Sequence, residues 1–271
     1  ELLMATSSLQ TALLRNVKDV VIFLGIFGLL ALGMLWVLDQ QSYDWQWFRL
    51  WRYVYIEHDG QYYAGPLLRG LFTTLEISAY AIVISAIGGF VIAMMRASKL
   101  ITARAIAKTY IEVVRNIPIL VLLFLIYFVL SPVFGLNRFW AGVMTLAIYE
   151  AAFAAEIYRS GIEAVPRGQK EAAKAIGLRP LQVMFYVTLP QSLPFILPAM
   201  TNLMINLVKH SAIVSVIAIF DLTNEGRNVI AETFMVFEVW FAVAGIYLVV
   251  TTILSILASV IENRTKRFYA R

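Results

Sequence analysis

The sequence lacks cysteine altogether and has only two histidines among its 271 residues. Without cysteine, the chain has no disulfides, zinc–thiolate sites or cysteine nucleophiles. The histidines, His58 and His210, fit no metal-binding spacing such as H-E-x-x-H. The sequence also lacks G-x-x-x-x-G-K-[ST], the loop that holds nucleotide phosphates. These absences argue against an enzyme and predict that this chain binds no cofactor and no metal itself.

Charged residues are also scarce. They make up 14% of the chain, whereas hydrophobic residues make up 61%. A soluble domain has about 25% charged and roughly 45–50% apolar residues. The composition therefore indicates an integral membrane protein. Its net charge of +5 is better explained by basic loops on the inner side of the membrane than by nucleic-acid binding.

Much of the chain consists of long apolar segments. A spanning helix needs about 20 mostly apolar residues, and only helices and closed barrels satisfy the backbone in lipid. Since the runs show no two-residue alternation, we interpret them as helices. The predicted fold is an all-α integral membrane protein with about six transmembrane helices, at residues 20–38, 71–95, 117–134, 139–158, 193–219 and 234–261.

Lysine and arginine are unevenly distributed between the two sets of loops. The first set holds 16 of them and the second set only 5, with Lys209 left inside a span. Because cytoplasmic loops carry the excess of Lys and Arg, the first set is predicted to be cytoplasmic. It comprises both termini and the loops 96–116 and 159–192.

The outer loop 39–70 is rich in aromatic residues. Such residues gather where a membrane meets water, so an interfacial anchor is one interpretation and an outward docking platform is the other. The residues concerned are Trp45, Trp47, Trp51, Tyr53 and Tyr55.

The cytoplasmic loop 159–192 contains a short polar segment that favours a helix. Pro166 suits a helix start, and residues 167–176 are rich in alanine. Gly177 is a natural left-handed stop, and Pro180 prevents the helix from resuming at once. A helix this short is unstable alone, so we expect it to dock on a partner.

This segment resembles the signature of ABC importer permeases. That signature is E-A-A, three residues, G, nine residues and I-x-L-P. The chain has Glu171-Ala172-Ala173, then Gly177, then Val187-Thr188-Leu189-Pro190, with Val in place of Ile. In that family the segment forms the coupling helix, which fits a groove in the ATPase subunit. The resemblance implies this coupling role for Arg167, Glu171, Ala172, Ala173, Lys174 and Gly177.

The resemblance extends over about residues 66–262 and is greatest to the polar amino-acid uptake branch. "RNIP" at 115–118 favours general or acidic amino acids, whereas Leu122 and His210-Ser211-Ala212 depart from the usual pattern. The resemblance implies a permease domain at 66–271, with 1–65 as an addition comprising a cytoplasmic tail, an extra helix and the aromatic loop. The location it implies is the bacterial cytoplasmic membrane.

The partners are also implied by the resemblance. They are a cytoplasmic ABC ATPase dimer that carries ATP and Mg, a second permease chain of the same or a homologous kind, and an external amino-acid-binding protein. The loop 221–233, predicted to be outside, and the loop 39–70 are the expected surfaces for that binding protein. The lipid bilayer and the amino-acid substrate complete the set.

Charged residues inside predicted spans are costly and mark functional sites; those considered as candidates are Glu76, Glu150, Glu156 and Lys209. Lys209 either meets a substrate carboxylate or pairs with Glu76 or Glu150. Glu150 is a candidate for binding an amino group. Glu156 lies six residues from Glu150 on a different face of the helix, so we expect it to pair with Arg159.

Two further polar groups are candidate pathway positions. Asn116 and Pro118 lie at the inner end of the third span, where the proline can kink the helix. Asn202 and Asn206 form a helical stripe that continues to Lys209 and His210. The stripe is either the translocation face or a hydrogen-bonded contact between two permease chains.

The predicted function is the permease subunit of an ATP-driven importer of polar L-amino acids, with acidic or broad specificity. The main alternative is a stand-alone secondary transporter or channel, which would need inverted repeats or an ion relay. A third interpretation is a receptor scaffold that moves no solute.

Overall fold

The computed structural model describes residues 18, 20–33, 36 and 43–269, with side chains up to 260 and at 262. The chain divides into two units, Glu1–Gln46 and Trp47–Arg271. The predicted boundary after residue 65 therefore lies inside the second unit. In the first unit, helix α1 spans Val20–Gly33 and exposes most of its apolar side chains. The remainder of the predicted span 20–38, apart from Trp36, lies outside the described residues.

The second unit is mostly helical. It begins with helix α2 and strands β1 and β2, at Trp47–Val54, Tyr55–His58 and Gln61–Ala64. Long helices α3 and α7 follow, at Pro66–Ala97 and Arg138–Glu163, separated by α4 at Ile101–Asn116, α5 at Ile119–Phe124 and α6 at Ser131–Phe134. The C-terminal half holds α8 at Arg167–Ala175, α9 at Pro180–Gln182, α10 at Leu189–His210, α11 at Leu222–Thr233 and α12 at Val236–Tyr269. Residues Leu125–Leu130 and Val183–Thr188 are π-helical, and Ser211–Ile217 form a 3₁₀ helix.

The predicted all-α fold is confirmed, and strands β1 and β2 add a small hairpin to it. They pair antiparallel, with Tyr55 opposite Ala64 and His58 opposite Gln61. The turn between them is Asp59-Gly60, with φ angles of 54° and 73°. Positive φ at both positions is what a two-residue hairpin turn requires, and Asp-Gly is among its preferred sequences. This sequence signal for a hairpin was overlooked because the aromatic residues around it were assigned to the membrane interface.

The predicted third span is the second arm of a bent helix pair. Helix α4 occupies the region predicted to be an inner loop, and it meets the segment Ile119–Phe134 at a bend of 108°. The break falls at Ile117 and Pro118. Ile117 is extended, with φ −93° and ψ 130°, because a residue that precedes proline disfavours the helical region. The prediction of a proline-induced break is confirmed, and the segment 96–116 predicted to join two spans contains helix α4.

Helices α3 and α7 form the centre of the second unit. Gly89 of α3 packs against α7, where a Cβ atom at this position would lie 2.5 Å from the Cβ of Ala154 and 3.0 Å from the carbonyl oxygen of Ala151. Small residues at such a crossing let two backbones approach closely in a membrane. A large apolar core surrounds this pair and includes Ile77, Leu123, Leu146, Leu207 and Val214.

Within the described residues, four helices are long and apolar enough to span a membrane, or five if the bent pair counts as one span. The predicted spans at 71–95, 139–158, 193–219 and 234–261 match α3, α7, α10 with its 3₁₀ extension, and α12. Large apolar side chains cover the outer surface of α12, as expected for contact with lipid. They include Leu248, Val249, Ile253, Ile256 and Leu257.

The loop predicted at 221–233 is a helix instead. Asp221 caps α11, accepting hydrogen bonds from the backbone N–H groups of Thr223 and Asn224 at 3.2 and 3.0 Å. An Asp directly before a helical segment is a common helix start, so the sequence contained this signal. The first backbone N–H of the helix, that of Leu222, donates to the hydroxyl of Thr74 of α3, which fixes α11 against the helical core.

Candidate functional site

A cavity of about 600 Å³ lies between α7 and α10, with one residue contributed by α4. Each of the two helices presents a stripe of residues spaced three or four apart, which places them on one helical face. The α7 stripe is Tyr149, Glu150, Phe153, Glu156 and Ile157. The α10 stripe is Ala199, Asn202, Leu203, Asn206 and His210. The cavity thus joins polar side chains from two spans at membrane depth.

Glu150 and His210 are paired at one end of this cavity. The Nδ1 atom of His210 lies 2.7 Å from Oε1 of Glu150. The Glu150 side chain is only 4% exposed, whereas that of His210 is 46% exposed. The ring of Tyr149 meets the imidazole edge-to-face, with the ring centres 6.2 Å apart. A buried carboxylate is stabilised only if it has a partner, and His210 is that partner.

Arg115 supplies a cation to the same cavity. It is the penultimate residue of α4, beside the break at Ile117 and Pro118. Its guanidinium carbon lies 5.3 Å from the centre of the Phe153 ring, within the range of a cation–π contact. This contact orients the Arg115 side chain over the face of the Phe153 ring. It does not neutralise the charge, so the guanidinium remains suited to binding a carboxylate.

A second cavity of about 460 Å³ adjoins Arg115 on the side of α3 and α4. Glu156 stands at its wall and pairs with Arg96 of α3. Glu156 also pairs with Arg159, whose Nη2 lies 2.9 Å from its Oε2. Arg159 in turn reaches Glu163 at 2.6 Å. The predicted pairing of Glu156 with Arg159 is confirmed, and the network also joins α3 to α7.

Glu150 and Glu156 both line the first cavity. They do so although six residues turn about the helix axis by about 120° relative to a whole number of turns. The positions 149, 150, 153, 156 and 157 together form a stripe wide enough to include both carboxylates.

The structure places the other predicted pathway residues as follows. Asn202, Asn206 and His210 line the first cavity, and Asn116 lines the second. Lys209 and Glu76 are exposed and line neither cavity. The ion pair proposed between Lys209 and Glu150 is replaced by the pair with His210. Arg115, Tyr149 and Phe153 complete the cavity; the i, i+3 and i, i+4 spacing around Glu150 would have predicted Phe153.

The short polar helix predicted in the 159–192 loop is present as α8. Pro166 is its N-cap, and Gly177, with a φ of 87°, lies just after its C-terminal end. The ammonium of Lys170 donates a 2.9 Å hydrogen bond to the carbonyl oxygen of Ile162, at the end of α7. Ala173 faces inward and is 4% exposed. The remaining residues predicted to couple are on the outside of the protein; they are Arg167, Glu171, Ala172, Lys174 and Gly177.

Two large apolar residues beside α8 are also exposed. Ile176 is 79% exposed and Leu181 is 73% exposed. Together they add exposed apolar surface beside the polar helix α8. Sequence reasoning missed both, although an isoleucine directly before the stop glycine was a readable signal.

The chain is similar to known proteins in both sequence and fold. Residues 85–267 match the family model described as "Binding-protein-dependent transport system inner membrane component". The chain belongs to this family of ABC importer permeases. The matched region includes α7, α8 and α10, so it contains the cavity and the short polar helix.

The permease is similar to curated proteins over most of their length. It is 39% identical over 201 residues to the probable glutamine ABC transporter permease GlnM of Bacillus subtilis, covering 74% of this chain and 93% of that protein. It is 35% identical over 202 residues to the arginine transport system permease ArtQ of the same organism, covering 74% and 92%. It is 34% identical over 203 residues to the glutamine transport system permease GlnP of Escherichia coli, covering 74% and 93%.

Solved structures resemble the permease as well. One described as an amino acid ABC transporter with histidines has a TM-score of 0.68 and 42% identity, and the match covers 73% of this chain and 94% of that one. The MetNI methionine ABC transporter, in an inward-facing conformation, has a TM-score of 0.63 at 22% identity, covering 73% and 95%. The second likeness supports the fold alone.

Proposed function

We propose that this permease forms part of the path by which an ATP-driven importer moves polar L-amino acids across the cytoplasmic membrane. The observation that carries the proposal is the cavity between α7 and α10. It has a volume of about 600 Å³, within the range of roughly 300–1,000 Å³ typical of small-molecule sites. The names of the relatives, which include glutamine and arginine permeases, support an amino acid as the solute.

The lining of the cavity is complementary to a zwitterion. The Arg115 guanidinium can bind a carboxylate of the solute in a bidentate manner, either the α-carboxylate or that of an acidic side chain. Glu150 and Glu156 already have ion-pair partners, so the α-ammonium group is met by the amide oxygens of Asn202 and Asn206. Asn202 and Asn206 each offer an amide donor and an amide acceptor for a polar side chain. An apolar solute would offer no polar partner to Arg115 or to these two amides.

For the substrate, we propose acidic amino acids or a broad range of polar ones. Arg115, rather than Lys209, is the cation that supports this choice, because Lys209 does not line the cavity. A competition panel against uptake of labelled L-glutamate or L-glutamine tests it. We expect L-glutamate, L-aspartate and L-glutamine to compete. Competition by L-arginine and L-lysine alone would contradict the choice.

The proposed energy source is an ATPase dimer, which binds ATP and Mg²⁺ and docks on α8. Exposed Arg167, Glu171 and Lys174 offer charges to that partner, and Ile176 and Leu181 offer apolar contacts. The excess of Lys and Arg around α8 supports a cytoplasmic position for this helix and for both termini. On the same basis, α11 and the hairpin face outward, toward a solute-binding protein.

Cysteine cross-linking tests the docking surface, since the chain has no native cysteine. Lys174→Cys is expected to cross-link to the ATPase in the intact complex. Ala173→Cys is the matched control, because its side chain is buried against the permease. The docking proposal fails if neither Lys174→Cys nor Glu171→Cys cross-links, or if Ala173→Cys cross-links equally well.

A second permease chain, identical or homologous, is proposed to complete the path. Co-purification of the intact complex, followed by mass spectrometry of its subunits, tests the partners and the stoichiometry together. Uptake that persists without any ATPase would instead indicate a secondary transporter or channel. Intact assembly without uptake would indicate a scaffold.

A further inference from the structure

The charged groups of the cavity are not equally available to a solute. The Glu156 carboxylate is already shared between Arg96 and Arg159. The Glu150 carboxylate is held by His210. Arg115 contacts an aromatic ring, and no ion pair within 4.0 Å involves it in the part of the chain that the structure describes. The free charge that meets a solute is therefore positive.

His210 determines whether a solute can reach the Glu150 carboxylate, because of its position. Nδ1 of His210 lies 2.7 Å from Oε1 of Glu150, so the imidazole occupies the hydrogen-bonding position on this carboxyl group. The histidine side chain is 46% exposed while the Glu150 side chain beneath it is 4% exposed. A solute therefore meets the imidazole before it meets the carboxylate. The edge-to-face contact with Tyr149 supports the imidazole in this orientation.

We propose that His210 is a specificity-determining residue, which covers the Glu150 carboxylate and so disfavours solutes with a cationic side chain. The inference rests on the proposed function of the cavity. A guanidinium or ammonium side chain has to displace the imidazole before it reaches Glu150. An acidic or amide side chain needs no such displacement and keeps its interaction with Arg115.

The test measures equilibrium binding of labelled L-glutamate, L-glutamine and L-arginine to the purified permease–ATPase complex. The external binding protein is left out, so its own selectivity does not interfere. Wild type is expected to bind L-glutamate or L-glutamine more tightly than L-arginine. His210→Ala exposes Glu150 and should tighten L-arginine binding roughly tenfold or more, the scale of a hydrogen bond to a charged group.

Four further variants separate this role from a structural one. His210→Asn places an amide donor near the position of Nδ1 and should retain the wild-type preference. His210→Ser should behave as His210→Ala does, which keeps the test valid if the alanine variant folds poorly. Adding Glu150→Gln to His210→Ala should abolish the gain in L-arginine binding. His58→Ala, in the exposed hairpin, should bind as wild type does.

The outcomes distinguish failure of the role of His210 from failure of the proposed function of the cavity. L-Arginine binding that is unchanged in both His210→Ala and His210→Ser overturns the role of His210 and leaves the proposed function intact. A gain that survives Glu150→Gln also overturns it. If wild type binds none of the three amino acids, the proposed function fails and the inference fails with it.

Discussion

The ammonium nitrogen of Lys170, on the short helix α8, lies 2.9 Å from the carbonyl oxygen of Ile162 at the end of α7. Helix α7 also lines the first cavity, between α7 and α10. This hydrogen bond therefore links the proposed ATPase-docking helix directly to a helix of the proposed path. A movement of α8 is passed to α7 through this contact only while the hydrogen bond is intact.

Replacing Lys170 by Met is expected to weaken this link. The Ile162 carbonyl loses its charged donor, so α8 can move without moving α7. The expected result is a severalfold fall in uptake per ATP hydrolysed, measured in proteoliposomes with the ATPase rate recorded in parallel. Lys108→Met is the control, because Lys108 is exposed and makes a 3.8 Å pair with Glu112 on its own helix. An unchanged ratio in Lys170→Met would contradict the linkage.

Glu156→Gln is expected to destabilise the permease. Glu156 joins Arg96 of α3 to Arg159 of α7, and its side chain is 22% exposed. Loss of these partly buried charged hydrogen bonds should cost about 1–3 kcal/mol of unfolding free energy. Glu112→Gln, in a pair that is about two-thirds exposed, should cost less than about 1 kcal/mol. Denaturant unfolding in detergent checks both, and equal losses would refute the assignment.

Two adjacent glycines of α3 should respond differently to alanine. In Gly89→Ala, the new Cβ would meet the Ala154 Cβ at 2.5 Å, so α3 and α7 must separate. The expected cost is about 1–3 kcal/mol, as for overpacking of a core. In Gly88→Ala, the new atom would meet the Ala151 Cβ at an ordinary 3.6 Å. This variant should be as stable as wild type or slightly more so, because alanine favours helix. Melting temperatures compare the two.

Asp221 is expected to make stability depend on pH. It lies between two spans, and burial raises its pKa to about 6, although hydrogen bonds from Thr223 and Asn224 act in the opposite direction. An unfolded Asp has a pKa of about 3.9. Between these values the folded state binds more protons than the unfolded state does. The contribution of Asp221 to stability is therefore present below about pH 4 and is lost as the pH rises toward 6, by up to about 3 kcal/mol.

Asp221→Asn isolates this effect, because the amide oxygen still caps α11 but does not ionise. Its unfolding free energy should vary less than that of wild type between pH 4 and 6. Asp221→Ala should instead lose the cap, at about 1 kcal/mol throughout. The same pH profile in wild type and Asp221→Asn would show that Asp221 stays ionised in the folded protein.

The sequence allowed the spans and α8 to be predicted because both depend on local patterns. Apolar length identifies α3, α7, α10 and α12, and the combination of Pro166 and Gly177 delimits α8. The family signature added the coupling role. The hairpin and the α11 helix were readable from Asp59-Gly60 and from Asp221, but both lie in segments that the predicted topology treats as loops between spans.

The pairings in the cavity were harder to predict, because they depend on how helices rotate about their axes. Lys209 and His210 are neighbours in the sequence, yet only His210 lines the cavity. A rotation of about 100° between adjacent residues decides which of them meets Glu150. The sequence therefore predicts the polar stripe on α10 but not that this stripe faces α7.

ATP-dependent uptake is the most direct test of the central claim. The permease is co-reconstituted into liposomes with its ATPase and binding protein, and labelled L-glutamine or L-glutamate is supplied on the side of the binding protein. Accumulation is expected only when ATP and Mg²⁺ are present on the ATPase side, and it should be abolished when the ATPase is omitted. Accumulation without ATP, or no amino-acid uptake by an assembly that hydrolyses ATP, would contradict the account.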